Sequence, residues 1–305
     1  MSEADLQVPS AGVSSGSERG ALGGRTWRRL RRLPGFWISA PLTVFFVLIA
    51  LWPDPVAGLF GHPSPRTCDL LNSSAPPDLA AGHPFGFTIQ GCDLYASVIH
   101  GARNSITVGV MVTLLTTAVA VLLGTVAGYL GGWADALISR VSEIVFAVPL
   151  LLGAVVILNS VQVRSVWVLS VVLAVFAWPT AMRVMRSGAV TVRNRAFITA
   201  ARALGMSTPA ILLRHVVPNT IGPAIVLGTL QIGGVIAAEA TLTYLGIGFQ
   251  PPVVSWGLQL SSAQNYFQAA PHLLIYPALM LTLAVAAFVT FGESLRRASR
   301  TGVVS

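Results

Sequence analysis

The stretch from Ile106 to Leu130, ITVGVMVTLLTTAVAVLLGTVAGYL, carries no charged side chain over 25 residues. A helix rises 1.5 Å per residue, so about 20 apolar residues cross the ~30 Å hydrocarbon core of a bilayer. This stretch is long enough to span. Five further apolar segments accompany it, at Phe36–Leu51, Ile144–Ser160, Val166–Met182, Ile221–Thr241 and Leu273–Phe291. Two of them are only about 17 residues long and cross with their flanking residues included. Hydrocarbon offers no water to satisfy peptide groups, so such spans must be helical. The expected fold class is an all-α membrane protein with six transmembrane helices.

Composition agrees. The 305 residues are 54% hydrophobic and 10% charged, with a mean hydropathy of +0.73, whereas a soluble domain carries roughly 25% charged residues. All nineteen basic residues are arginine and there is no lysine. That excludes a G-x-x-x-x-G-K-[ST] phosphate loop, which needs lysine on the terminal phosphates, and Schiff-base chemistry, which needs a lysine amine. If ATP drives this protein, another chain hydrolyses it. The net charge of +8 does not indicate nucleic acid, because arginines gathered on one side of a membrane chain are orientation signals.

Residues 1–35 read as a cytoplasmic tail, disordered over 1–24 and then basic, with Arg25, Arg28, Arg29, Arg31 and Arg32. Residues 36–60 hold the first span, favoured over a cleaved signal peptide because the basic flank is long and Val56-Ala57-Gly58 is a poor cleavage site. Residues 61–104 form an extracytoplasmic segment and 105–292 a five-helix core that includes a cytoplasmic loop at 187–218; 293–305 is a second cytoplasmic tail. With both termini inside, sixteen arginines are cytoplasmic and only Arg66, Arg103 and Arg164 lie outside, as positive-inside bias requires. Trp37, Trp52, Trp133 and Trp167 fall at the interfaces.

Cys68 and Cys92 are the only cysteines and fall in the same extracytoplasmic segment, where two thiols are expected to pair. His62 and His83 are nearby, but no C-x-x-C or H-x-x-x-H spacing supports a metal site. Gly124 and Gly128 form a G-x-x-x-G that suits either packing within the bundle or a dimer seam. Glu143, Glu239 and Glu293 are the acids at span ends, and none is mid-span as ion coupling would require. Glu239 is a candidate for a substrate path or for a paired structural carboxylate. No H-E-x-x-H, G-x-S-x-G or paired-carboxylate arrangement points to an enzyme.

The cytoplasmic loop holds Phe197-Ile198-Thr199-Ala200-Ala201-Arg202-Ala203-Leu204-Gly205-Met206-Ser207. A short helix over Phe197–Leu204 should end at Gly205, suited to a left-handed turn. Ser207 or Thr208 should cap a second helix with Pro209 in its first turn, and Pro218 should open the fifth span. The small residues leave a low surface that another protein can approach.

This loop resembles the EAA loop of bacterial binding-protein-dependent ABC importers, specifically the oligopeptide/dipeptide/nickel permease family, in which an acidic residue, Ala-Ala and, after three intervening residues, Gly precede a proline. Here the stretch is Thr199-Ala200-Ala201-Arg202-Ala203-Leu204-Gly205, with Thr199 where the family name implies Glu. His83-Pro84-Phe85-Gly86, Gly101-Ala102-Arg103-Asn104-Ser105, Glu239-Ala240-Thr241-Leu242-Thr243-Tyr244-Leu245-Gly246 and Pro251-Pro252-Val253-Val254-Ser255-Trp256-Gly257 resemble further family motifs, so the likeness runs from about His83 to Arg296. The resemblance implies the type I importer permease fold in the bacterial inner membrane. Expected partners are a second, similar permease subunit, two ATPase subunits that bind ATP and Mg²⁺, and an extracytoplasmic substrate-binding protein. No cofactor is expected in this chain. Docking on the ATPase is expected at Phe197, Thr199, Ala200, Ala201, Arg202, Leu204, Gly205 and Ser207. The expected cargo is short peptides, with nickel chelates as the sibling alternative and an ion-coupled transporter as a different class.

Overall fold

A computed structural model describes residues 27–60 and 64–300. The tail expectations for 1–24 and 301–305, and those for Arg25 and His62, lie outside the described residues. Helix α1 is Pro34–Leu51, followed by the short α2, Pro53–Ala57. Helix α3 runs from Leu94 to Leu130. Then come α4 (Gly132–Ala147), α5 (Leu150–Asn159), α6 (Val166–Arg193) and α7 (Ala196–Ala203). Helix α8 runs from Thr208 to Tyr244, α9 from Trp256 to Ala263 and α10 from His272 to Arg300.

Five of these, α1, α3, α6, α8 and α10, are long and apolar enough to cross a membrane. The third expected span is different: α4 and α5 together qualify but are bent by 82° at the break between them. Pro149 causes the break. It lacks an N–H and crowds the residue before it, and Val148 accordingly leaves the helix with φ −83° and ψ 120°. Counting the bent pair once gives six candidate spans among the described residues.

Two boundaries also differ from the sequence reading. Helix α3 begins at Leu94, inside the segment assigned to 61–104, because Asp93 caps it: Ala96 N–H donates to Asp93 Oδ1 at 2.7 Å. Pro218 stands in the first turn of the α-helical stretch Val217–Tyr244, as expected, but the helical run as a whole begins earlier, at Thr208. A widened turn over Leu212–Val216 absorbs the helical bond that a proline cannot donate.

Helices α3, α6, α8 and α10 pack in succession, and α1 lies against α10 and α3. One core gathers Phe46, Ile49, Ile106, Ile236, Trp256 and Phe288 from five helices. A second joins Val112, Leu158, Leu173, Leu242 and Phe249. The glycine pair settles its own role: a Cβ on Gly124 would lie 2.7 Å from the Met182 carbonyl and the Met185 Cβ, and one on Gly128 would strike the Arg186 carbonyl. The motif therefore seats α3 on α6 within one chain. Outward, Ile38, Leu114, Leu122, Leu152 and Val156 are widely exposed; an apolar exterior of this extent suits lipid and not water.

Opposite the arginine-rich end, Cys68 and Cys92 form a disulfide with S–S 1.98 Å. His83 Nδ1 sits 2.6 Å from Asp93 Oδ2 and its ring packs against Phe87, so this histidine is committed to the segment's own structure. The fully buried Trp256 donates from Nε1 to the Val98 carbonyl at 2.9 Å, and Asn104 Nδ2 donates to the Val254 carbonyl at 2.7 Å. These bonds lock the loop before α9 onto α3.

Candidate functional site

Helix α7 is eight residues long, too short to persist alone in water. Its stability comes from what it rests on. Ile198 and Ala201, one turn apart, point inward and pack with Tyr129, Ala189, Val192, Ile211 and Val216 from α3, α6 and α8. The helix closes as a Schellman motif: Met206 N–H donates to the Ala201 carbonyl at 3.1 Å and Gly205 N–H to the Arg202 carbonyl at 3.0 Å. Gly205 has φ +74°. A Cβ there would meet nothing within 4 Å, so glycine is needed for its backbone angle and not for space.

Arg202 fastens the outer side. Its Nε donates to Tyr129 Oη at 3.0 Å and its guanidinium carbon stands 5.0 Å from the Tyr129 ring centroid. Arg193 Nη1 donates to the Tyr129 carbonyl at 3.3 Å. Tyr129 thus joins α3 to the end of α6 and to the last turn of α7. Nearby, Arg186 makes a two-pronged ion pair with Asp135, with Nη2 to Oδ2 at 2.6 Å, tying α4 to α6. The result is a hairpin whose position follows the helices beneath it.

The expected docking residues divide between the two faces. Phe197, Thr199, Ala200, Arg202, Leu204, Gly205 and Ser207 are exposed. Ala201 does not join them: it is 6% exposed, turned into the bundle, where a larger side chain would lift α7 off α6. The helix spans Ala196–Ala203, one residue earlier than expected, with Leu204 as its C-cap. Ser207 occupies the next N-cap, but its side chain makes no capping bond; its carbonyl accepts from Ile211 N–H at 3.0 Å. Among the expected docking residues, the large apolar side chains left outside are Leu204, 85% exposed, and Phe197, 45% exposed, and Leu213 on the second limb is exposed as well.

Glu239 lies elsewhere. It is fully buried on α8, with Ser105 of α3 beside it. Thr243 Oγ1 donates to its Oε1 at 2.8 Å and accepts from Phe249 N–H at 3.1 Å. This chain pins the loop after α8, while Glu239 Oε2 is buried without a hydrogen-bond partner among the described residues. Tyr129, absent from the sequence-derived site, had only its position at a helix end to mark it.

Residues 120–304 match the family described as binding-protein-dependent transport system inner membrane component. Over 274 residues the chain is 34% identical to the glutathione transport system permease protein GsiD of Escherichia coli O157:H7 and, equally, of Shigella sonnei, covering 89% of this chain and 88% of each relative. Among solved structures, an amino acid ABC transporter crystallised with histidines aligns with a TM-score of 0.43 and 16% identity, over 63% of this chain and 90% of that one.

Proposed function

This chain belongs to the binding-protein-dependent transport system inner membrane components, within the oligopeptide, dipeptide and nickel importer permeases, and on that premise we propose that it forms half of a translocation path for short peptides, driven through the α7 hairpin. As a multi-pass inner-membrane permease subunit it is not an enzyme; ATP hydrolysis belongs to partner subunits, and membership implies an ATPase and a substrate-binding protein as partners.

The observation that carries the coupling proposal is the exposed pair Phe197 and Leu204 on a hairpin whose inner face is fixed to three long helices. Exposed apolar side chains on a built surface mark a partner. With both termini cytoplasmic, two ATPase subunits carrying ATP and Mg²⁺ seat this hairpin and its counterpart on a second permease subunit. Closure of the ATPases moves α7 as a rigid body, and α3, α6 and α8 move with it. Thr199 removes the acidic contact of the family loop, so docking rests on shape at Phe197, Ala200, Leu204 and Gly205.

Peptide cargo is supported by the relatives that transport glutathione, a tripeptide. Uptake of labelled glutathione and dipeptides by the reconstituted transporter tests the cargo, with nickel chelate as competitor. Uptake of the chelate alone would move the protein to the sibling branch. Uptake driven by a proton gradient through this chain without ATPases would overturn the reading.

A further inference from the structure

Among the described residues, the side chains of the N-terminal arginines form no ion pair with the bundle or the hairpin. Arg28, Arg29, Arg31 and Arg32 lie in a short helical turn and the bend after it, just before α1. The bend is held in place. Arg32 N–H donates to the Arg29 carbonyl at 3.0 Å and Leu33 N–H to the Leu30 carbonyl at 3.1 Å. Trp37 Nε1 donates to the Arg31 carbonyl at 2.8 Å. Beneath, Leu30, Phe36 and Ala298 form an apolar cluster that seats the bend on α10, with Trp27 edge-on to Phe36 at 6.0 Å.

All four arginines are exposed, and none has a carboxylate partner among the described residues. The Arg31 guanidinium stands over the Trp27 ring at 4.7 Å. Across the packing, Arg296 and Arg297 are already paired with Glu293. Orientation bias explains why cations occur beside a first span. It does not require them to be fixed on one bend by an indole hydrogen bond and an apolar seat.

Four like charges held this close call for a counter-charge outside the chain. Trp27 and Trp37 flank the bend, 48% and 60% exposed, and exposed indoles lie at headgroup level. Helix α1 starts at Pro34, so the guanidiniums occupy the headgroup layer, and their planar forks match phosphate oxygens. We propose that residues 28–32 form a binding site for the phosphate headgroups of anionic phospholipids, anchoring the α1–α10 pair at the membrane surface.

The test uses the complete detergent-solubilised transporter, titrated with phosphatidylglycerol or phosphatidylcholine and read by native mass spectrometry. Wild type retains phosphatidylglycerol and not phosphatidylcholine, and loses it as salt rises. Each arginine near a membrane surface accounts for about fivefold, so R28Q/R29Q should weaken retention about twenty-fivefold, whereas R296Q/R297Q, which removes the same number of charges from two side chains that lie outside the bend and share Glu293, should weaken it less than about fivefold. Equal retention of both lipids by wild type would overturn the proposal without any variant. So would an equal loss in both double variants, which would reduce the effect to net charge. Displacement by millimolar inorganic phosphate would make this a free-phosphate site and reject the lipid. Loss of ATPase subunits from R28Q/R29Q with lipid retention intact would make the bend a protein-docking surface instead.

Discussion

Substituting Gly205 with a graded series isolates the hairpin's geometry from its size. Gly205 sits at φ +74° with open space where an added methyl group would lie, so alanine introduces no clash and only the left-handed backbone cost, about 1–2 kcal/mol. Asparagine tolerates that region and should cost less than alanine. Valine, branched at Cβ, should cost more than alanine there. The Schellman bonds from Gly205 and Met206 each contribute about 1 kcal/mol net, so valine exceeds what the cap supplies and releases the end of α7. Substrate-stimulated ATPase rate and uptake, measured together in proteoliposomes, should decline in the order Gly, Asn, Ala, Val, with uptake per ATP falling and membrane insertion unchanged. Full transport by Gly205→Val, or alanine outperforming asparagine, would refute the left-handed cap as the basis of coupling.

Further outcomes follow from neighbouring contacts. Tyr129→Phe keeps the ring under Arg202 but removes the 3.0 Å hydrogen bond, and should lower uptake per ATP by a few-fold, matching about 1 kcal/mol; an unchanged ratio would remove Tyr129 from the coupling path. Gly128→Ala drives a methyl into the Arg186 carbonyl and should cost about 1–3 kcal/mol, read as a lower melting temperature in detergent. Cys68→Ser with Cys92→Ser opens a cross-link between residues 24 apart in sequence, worth about 3 kcal/mol; native protein should resist a thiol reagent until reduced. Asp135→Asn leaves Arg186 without its carboxylate and should destabilise the α4–α6 contact by about 1 kcal/mol, because the pair is only partly shielded from water, seen as faster proteolysis between those helices.

The long spans were legible because an uncharged apolar run such as Ile106–Leu130 has few alternatives to a helix in lipid. The break at Val148–Pro149 was hidden within a run whose hydropathy does not fall, and hydropathy says nothing of direction. The start of α3 at Leu94 depended on one capping aspartate that reads, in sequence, as part of a polar segment. At the hairpin, Gly205 was readable because a glycine after a short helix has a specific backbone use. The division between Ala200 and Ala201 was not, because adjacent small residues look alike until the partner face is known. Glu239 was ambiguous for the same reason: whether a carboxyl lines a path or braces a loop depends on residues such as Thr243 and Phe249 folding back on it.

The chain's two cysteines are bonded to one another, so a single introduced cysteine is a clean reporter of what α7 touches. The decisive measurement is bifunctional cross-linking of Ala200→Cys and Ile198→Cys variants in membranes that contain the ATPase subunits, with and without nucleotide. The exposed position 200 should cross-link to an ATPase subunit in both conditions, with the yield changing on ATP binding, while the buried position 198 should not. Absence of any ATPase adduct from position 200, or equal adducts from both positions, would contradict the hairpin as the contact through which ATP drives this permease.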